Sequence, residues 1–247
     1  MADLIDNVLI IDTETNGIDI EKHQVIEVGA ILYSVRYQTI LQQISFLLPS
    51  DSNDMEKVNH IPLCALQETT FNLSLPFWNL FQNMGKLCDY AIAHNAEFDK
   101  KWFCDDGRLP SLTKYNDEPL RWLCTQDDFV FLRQYKSRMS LVDLALAHGI
   151  GISTAHRALD DCRLIAELFN RADDLQGLFD QALLPRFDCI AKVSYDDREL
   201  AKQAGFRWKA ATKTWERRAK QSEIDSFPFP VTIVTADEPD YADVLDF

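Results

Sequence analysis

Apolar positions along the 247-residue chain follow two rhythms. In the first fifth they come as short runs. Val8, Leu9, Ile10 and Ile11 are unbroken, which suits a strand covered on both faces and central in a sheet. Segments 24–34 (QVIEVGAILYS) and 38–48 (QTILQQISFLL) read as two more strands, close enough to form a hairpin. Further on the period lengthens. FWNLFQNMGKLCD (77–89) reads as a helix, YAIAH (90–94) as a short strand, NAEFDKKWF (95–103) as a helix and RWLCT (121–125) as a strand. SLVDLALAHG (140–149) is a helix with two end signals, a capping box from Ser140 to Asp143 and a stop at Gly149. Residues 157–171 carry a strong 3.6-residue period. Strands first, then strand–helix alternation, predict an α/β fold: a mixed five-stranded sheet flanked by helices. The composition shifts near Pro185, which predicts a domain of residues 1–184 and a smaller α+β unit after it.

Composition narrows the class. Hydrophobic residues make up 47%, and a chain this long buries a core without staples. The N-terminal MADLIDNV has neither a basic region nor a long apolar one, and no window is apolar enough to span a bilayer. The six cysteines, at 64, 88, 104, 124, 162 and 189, form no C-x-x-C pair. That spacing argues against a zinc site or a disulfide framework and leads us to expect a cytoplasmic protein with no membrane partner.

Net charge is −14, which taken alone argues against a polyanionic partner. The charge is uneven. Residues 186–220 hold ten Lys/Arg and five Asp/Glu, a balance of +5, so the remainder carries −19. The last stretch, ADEPDYADVLDF (236–247), has five acids and no base and reads as a disordered acidic tail.

Against this background the ends of the apolar runs stand out. Asp12 and Glu14 follow Val8–Ile11, two residues apart, so both leave one face of an extended chain roughly 6–7 Å from each other. A D-x-E at a strand end is commonly just a solvated turn. Two like charges kept ionised need a cation, and hard divalent ions take oxygen ligands. In 94–103, Glu97 shares a helix face with Lys100 and Lys101, whereas Asp99 shares the apolar side with Trp102 and Phe103. In 156–169, Asp160 aligns with Arg163 and Glu167, whereas Asp161 aligns with Leu164, Ile165 and Leu168. An inward carboxylate is costly unless it is hydrogen-bonded or ligates metal. His156, five residues before Asp161, cannot share its face within one helix. Placed in the loop just ahead, it swings over Asp161, where it could take a proton from a metal-bound water. His23, His60 and His148 read as bystanders, and His94 as a core hydrogen-bonder.

D-T-E-T-N-G, H-N-A-x-F-D and H-x-A-x-x-D, in this order, resemble the three motifs of the DEDDh (DnaQ-like) 3′–5′ exonucleases of the ribonuclease H-like fold. AHNAEFDKKW, RWLCT and AHRALDDCRLIAEL are most similar to its exodeoxyribonuclease X branch. The resemblance spans residues 6–172 or so. It implies hydrolysis assisted by two ions, Mg²⁺ or Mn²⁺, held by Asp12, Glu14, Asp99 and Asp161, with His156 as general base. It implies release of 5′-mononucleotides from 3′ ends, DNA favoured over RNA. It places contacts to the terminal nucleotide at Thr13, Thr15 and Ile18, with Asn95 nearby. VNHI (58–61) departs from the pattern: Asn59 occupies a slot where relatives often carry a histidine, with His60 beside it. An RNA-trimming exonuclease of the same family is the near alternative. A non-catalytic subunit that binds nucleic acid or a polymerase is the distant one, and the intact set of acids argues against it.

Residues 190–218 read as a strand, a helix over 196–204, a stop at Gly205 and a short hairpin bearing Trp208 and Trp215. The stretch resembles a small bacterial domain of uncharacterised function. Arg207, Lys209, Lys213, Arg217 and Arg218 alternate with aromatics, so the unit could grip a phosphate backbone, while the tryptophans read as its core. The terminal DVLDF is similar to the partner-binding tips of single-strand-binding proteins, which leaves open a replication or repair partner reached through the C-terminal region.

Overall fold

The computed structural model describes residues 4–103, 109–136, 138–153 and 156–236, with side chains to 234. It divides into two units, Met1–Ala182 and Leu183–Phe247.

The first unit opens with strands β1 (Asn7–Thr15), β2 (Val25–Ser34) and β3 (Thr39–Leu47). Helices α1 (Glu56–Asn59), α2 (Leu63–Glu68) and α3 (Phe71–Lys86) follow. Then come β4 (Tyr90–Ala93), α4 (Ala96–Lys100), β5 (Arg121–Cys124), α5 (Leu141–Ala147), α6 (Ala158–Asn170) and α7 (Leu175–Ala182). The sheet order is β3-β2-β1-β4-β5. β1 is antiparallel to β2 and parallel to β4, so the mixed five-stranded sheet expected from the sequence is present and β1 is central. Ligands of open α/β sheets collect where the order turns outward from such a strand, at its carboxyl end.

Alternation along β1 assigns its two faces. Leu9 and Ile11 join a core with Phe81 and Met84 of α3. Ile10 and Asp12 point to the opposite side, where Cys162 of α6 lies against the carbonyls of Ile10 and Gly29. Gly29 has a steric role there. A Cβ at this position would stand 2.3 Å from the carbonyl carbon of Ala158, so only glycine lets α6 start this close to β2.

Two local expectations need correction. β1 does not stop at the carboxylates but runs to Thr15, with Asp12 opposite Gly29 and Glu14 opposite Glu27. α3 begins at Phe71, not 77, despite Pro76 inside it. Ser74 donates to the Leu47 carbonyl at 2.7 Å, and Phe77 stacks on Phe46, so tertiary contacts hold a turn that proline weakens.

The second unit has strands β6 (Arg186–Ala191), β7 (Arg207–Lys209), β8 (Thr214–Lys220) and β9 (Val231–Ala236), with helices α8 (Arg198–Gln203) and α9 (Gln221–Ile224). The sheet order is β7-β8-β6-β9. Cys189, Ala191, Ala201, Phe206 and Ala219 form its core. The fourth strand comes from beyond residue 220, where periodicity had given no element. The expected acidic tail falls, from residue 237 on, outside the described residues. Among the described residues no helix is long and apolar enough to cross a membrane.

Candidate active site

β1 delivers Asp12 and Glu14 to the face on which α6 packs. α4, entered through Asn95 at φ +64°, delivers Asp99, which is buried. Both the backbone N–H and the hydroxyl of Thr13 donate to Asp99 Oδ1, at 3.0 and 2.8 Å, which orients the carboxyl. The first turn of α6 delivers Asp161. His156 stands before that helix, at φ +62°, a backbone that costs a non-glycine residue of order 1 kcal/mol or more. The turn lets the His156 N–H donate to Asp161 Oδ2 at 3.2 Å. Ligand-type atoms of Glu14, His156 and Asp161 all lie within 4.8 Å of one another.

The electrostatics record how closely these acids are held. Burial, and then the charges of Asp99, Asp161, Glu14 and Glu27, keep the Asp12 carboxyl well above the usual carboxylate range. Burial foremost, with Asp161, Glu27 and Asp99 adding to it, pushes Glu14 up to about 8. Burial raises Asp99 to about 7 against the pull of Thr13 and Lys101. Asp161 is raised as well, by burial first. An all-oxygen set of this kind, with one imidazole at its rim, fits a hard divalent cation. A cation would replace the protons that the crowded acids otherwise retain.

Sequence reasoning missed the group that supports this arrangement. Glu27, buried in β2, accepts from Arg157 Nε and Nη2 at 3.0 and 2.9 Å, from the Ala158 N–H at 3.2 Å and from Ser45 Oγ at 2.8 Å. It anchors the segment that carries His156 and the start of α6. A lone acid inside the apolar run VIEVGAI was the available signal.

The expected nucleotide contacts separate. Ile18 is 71% exposed and Asn95 is exposed, its Oδ1 accepting from Arg138 Nη2 at 3.3 Å. Thr13 and Thr15 are buried, and the Thr13 hydroxyl is committed to Asp99. Asn59 is fully buried, donates to the Thr15 carbonyl at 3.3 Å and accepts from the Ile61 N–H at 3.0 Å, so it supports the end of β1 from beneath. Lys101 donates to the Ile18 carbonyl at 3.1 Å and lies over the rings of Phe98 and Trp102. His94 is held between Thr125 Oγ1 at 2.9 Å and the Met139 carbonyl at 3.0 Å, the core role expected of it.

Residues 189–234 match a domain of unknown function (DUF8626). The chain is 28% identical over 172 residues to DNA polymerase III subunit epsilon of Treponema pallidum, covering 64% of this chain and 72% of that one. Among solved structures it is similar to E. coli Exonuclease I in complex with a dT13 oligonucleotide, with TM-score 0.57 and 15% identity over 80% of this chain and 50% of that one. It is also similar to Exonuclease X in complex with 5′ overhanging duplex DNA, with TM-score 0.49 and 22% identity over 71% of this chain and 99% of that one. Residues 9–169, more than half of the chain, match the family described as Exonuclease (RNase_T), and the chain therefore belongs to the DnaQ-like exonuclease family, whose members act on nucleic acids.

Proposed function

We propose that this protein is a metal-dependent 3′–5′ exonuclease that releases 5′-mononucleotides, with DNA as its substrate. The observation that carries the reading is the convergence of Asp12, Glu14, Asp99 and Asp161 from β1, α4 and α6, with His156 beside Asp161. Exonucleases of this family normally use divalent metal ions. Asp12, Glu14, Asp99 and Asp161 would hold two of them, Mg²⁺ or Mn²⁺. When bound, the ions lower the pKa of the attacking water and stabilise charge on the leaving 3′ oxygen.

The chain's own residues do the rest. An imidazole nitrogen of His156 takes a proton from the attacking water, from a loop that leaves the ring exposed. Thr13 fixes Asp99, so one carboxylate is pre-oriented before substrate arrives. Arg157 and Glu27 fix the backbone beneath His156. Exposed Ile18 and Asn95 are the residues offered to the terminal nucleotide.

In this reading residues 1–184 form the catalytic domain and the basic segment 186–220 belongs to a substrate-holding unit. The likeness to an epsilon subunit supports a DNA-polymerase partner and a cytoplasmic site of action.

A 5′-labelled single-stranded DNA oligomer incubated with Mg²⁺ or Mn²⁺ tests the reading, beside its RNA equivalent and the Asp12→Asn variant. The expected result is a ladder shortening from the 3′ end, absent with chelator and absent in the variant, and faster on DNA. A faster RNA ladder replaces the substrate assignment. No ladder on either substrate refutes the enzyme and favours a binding subunit.

A further inference from the structure

The two tryptophans of the small unit are not equivalent. They face each other across β7 and β8, ring centroids 5.8 Å apart at 59°. Trp215 packs onto the core of the unit. Trp208 lies on the edge strand and is 52% exposed. The core closes on Phe206, one residue before β7, so Trp208 is not needed to fill it. A tryptophan held half in water, braced by a second ring, is a surface feature in need of an occupant.

The cations sort in the same way. Arg217 is used internally, donating to the Ala204 carbonyl and to Glu223 and lying over Phe227. Arg218 faces Asp188 at 3.5 Å, and Lys220 is buried. Arg207, Lys209 and Lys213 are exposed; by alternation the first two leave the face of β7 opposite to Trp208, across from Glu216 and Thr214, and the third stands in the turn that joins β7 to β8 at φ +55°. Glu216, the acid of this hairpin, is held by the hydroxyls of Thr212 and Thr214, lies across from Arg207 and is also drawn by the charge of Lys209. The edge of the hairpin therefore carries an exposed ring on one face and cations on the other face and in the turn, on a segment of charge +5 in a chain of charge −14.

We propose that the β7–β8 hairpin is a binding site for single-stranded nucleic acid, with a base stacked on Trp208 on one face of the edge strand and the phosphate backbone crossing that edge to Lys213, Arg207 and Lys209. The proposal rests on the exonuclease reading only for its purpose. The net negative charge of the chain opposes a polyanion, and a second, basic grip on the same chain raises the local concentration of the strand being shortened. Stacking on one ring and a few phosphate contacts need no particular sequence, which suits an enzyme that meets every base in turn. Exposed Tyr195 is already covered by Arg198, 4.0 Å from its ring centre, and is left out of the site.

The test uses the full chain with chelator present, so that binding is read without turnover. The probes are the anisotropy of a labelled thirty-nucleotide oligo(dT) and the quenching of tryptophan emission. Trp208→Ala is expected to weaken binding about 5- to 100-fold and to remove most of the quenching, with Trp208→Phe intermediate. Replacing Arg207, Lys209 and Lys213 together by Ala should lower the slope of log affinity against log salt by about 2. With metal restored, Trp208→Ala should raise KM on the thirty-nucleotide oligomer, and Trp208→Phe should raise it less. Unaltered affinity, quenching and salt slope in both variants would overturn the site, and would direct attention to a protein partner for Trp208. Binding that depends on Trp208 in a chain that degrades no oligomer keeps this site and refutes the exonuclease reading.

Discussion

Arg157 grips Glu27 through two parallel hydrogen bonds, of 3.0 and 2.9 Å, between residues 130 apart in the chain. The carboxylate is 2% exposed and the guanidinium 42%. Because Arg157 adjoins His156, the pair ties the His156 loop to the second strand. Removing Arg157 would leave Glu27 buried and without its ion-pair partner. A fully buried pair would cost about 3–5 kcal/mol to break, and the partial exposure of Arg157 reduces this to about 2–3 kcal/mol. Arg157→Ala should melt about 5–10 °C lower and lose at least tenfold in kcat, with KM little changed. Arg157→Lys restores the charge but not the fork, so it should fall between. Equal kcat in all three proteins would show that the loop needs no such anchor.

His156→Ala should lower kcat by about 10²- to 10⁴-fold, the usual worth of a general base. The Mg²⁺-induced rise in melting temperature should survive, because the four carboxylates are untouched. Loss of that rise together with activity would make His156 a ligand and not a base.

The raised acids predict how metal-free stability depends on pH. Glu14 stands at about 8 and Asp99 at about 7, both above their values in an unfolded chain. The folded state thus holds these protons more tightly than the unfolded one. Their contribution is complete below about pH 4 and is lost as pH rises through 7 and 8. With chelator, the melting temperature should fall between pH 6 and 8.5, and the increment given by Mg²⁺ should grow over the same range. In Glu14→Gln the slope should flatten. A Mg²⁺ increment independent of pH would remove the acid cluster as its cause.

Gly29→Ala places a methyl group 2.3 Å from the Ala158 carbonyl carbon. α6 must then shift, and Asp161 and His156 with it. We expect a loss of about 1–3 kcal/mol in stability and a larger proportional loss in activity. Crystals showing α6 unmoved in an active variant would contradict this.

Asn59→Ala separates a supporting role from a contact with the terminal nucleotide. Its amide bonds are buried, so their loss should cost about 1–3 kcal/mol while KM for the oligomer stays constant. A raised KM at unchanged stability would return Asn59 to the substrate site.

Much of the molecule was legible from the order of its residues. The apolar run Val8–Ile11, the hairpin after it and the alternating strands and helices fixed the mixed sheet, because burial on two faces, on one face and along a helix each leave a different period. The same periods separated Asp99 from Glu97 and Asp161 from Asp160, since a helix allows only one of each pair to face inward. Other features were decided by contact between distant segments, which no local period encodes. Thr13 belongs to Asp99, Glu27 to Arg157, and Asn59 to the underside of β1. The same holds in the small unit. Trp208 and Trp215 look alike in the sequence, and only the closing of the core on Phe206 leaves one of them in water. Side-chain chemistry named the groups able to bind a cation or move a proton; the folding of β1, β2, α4 and α6 against one another determined which of them meet.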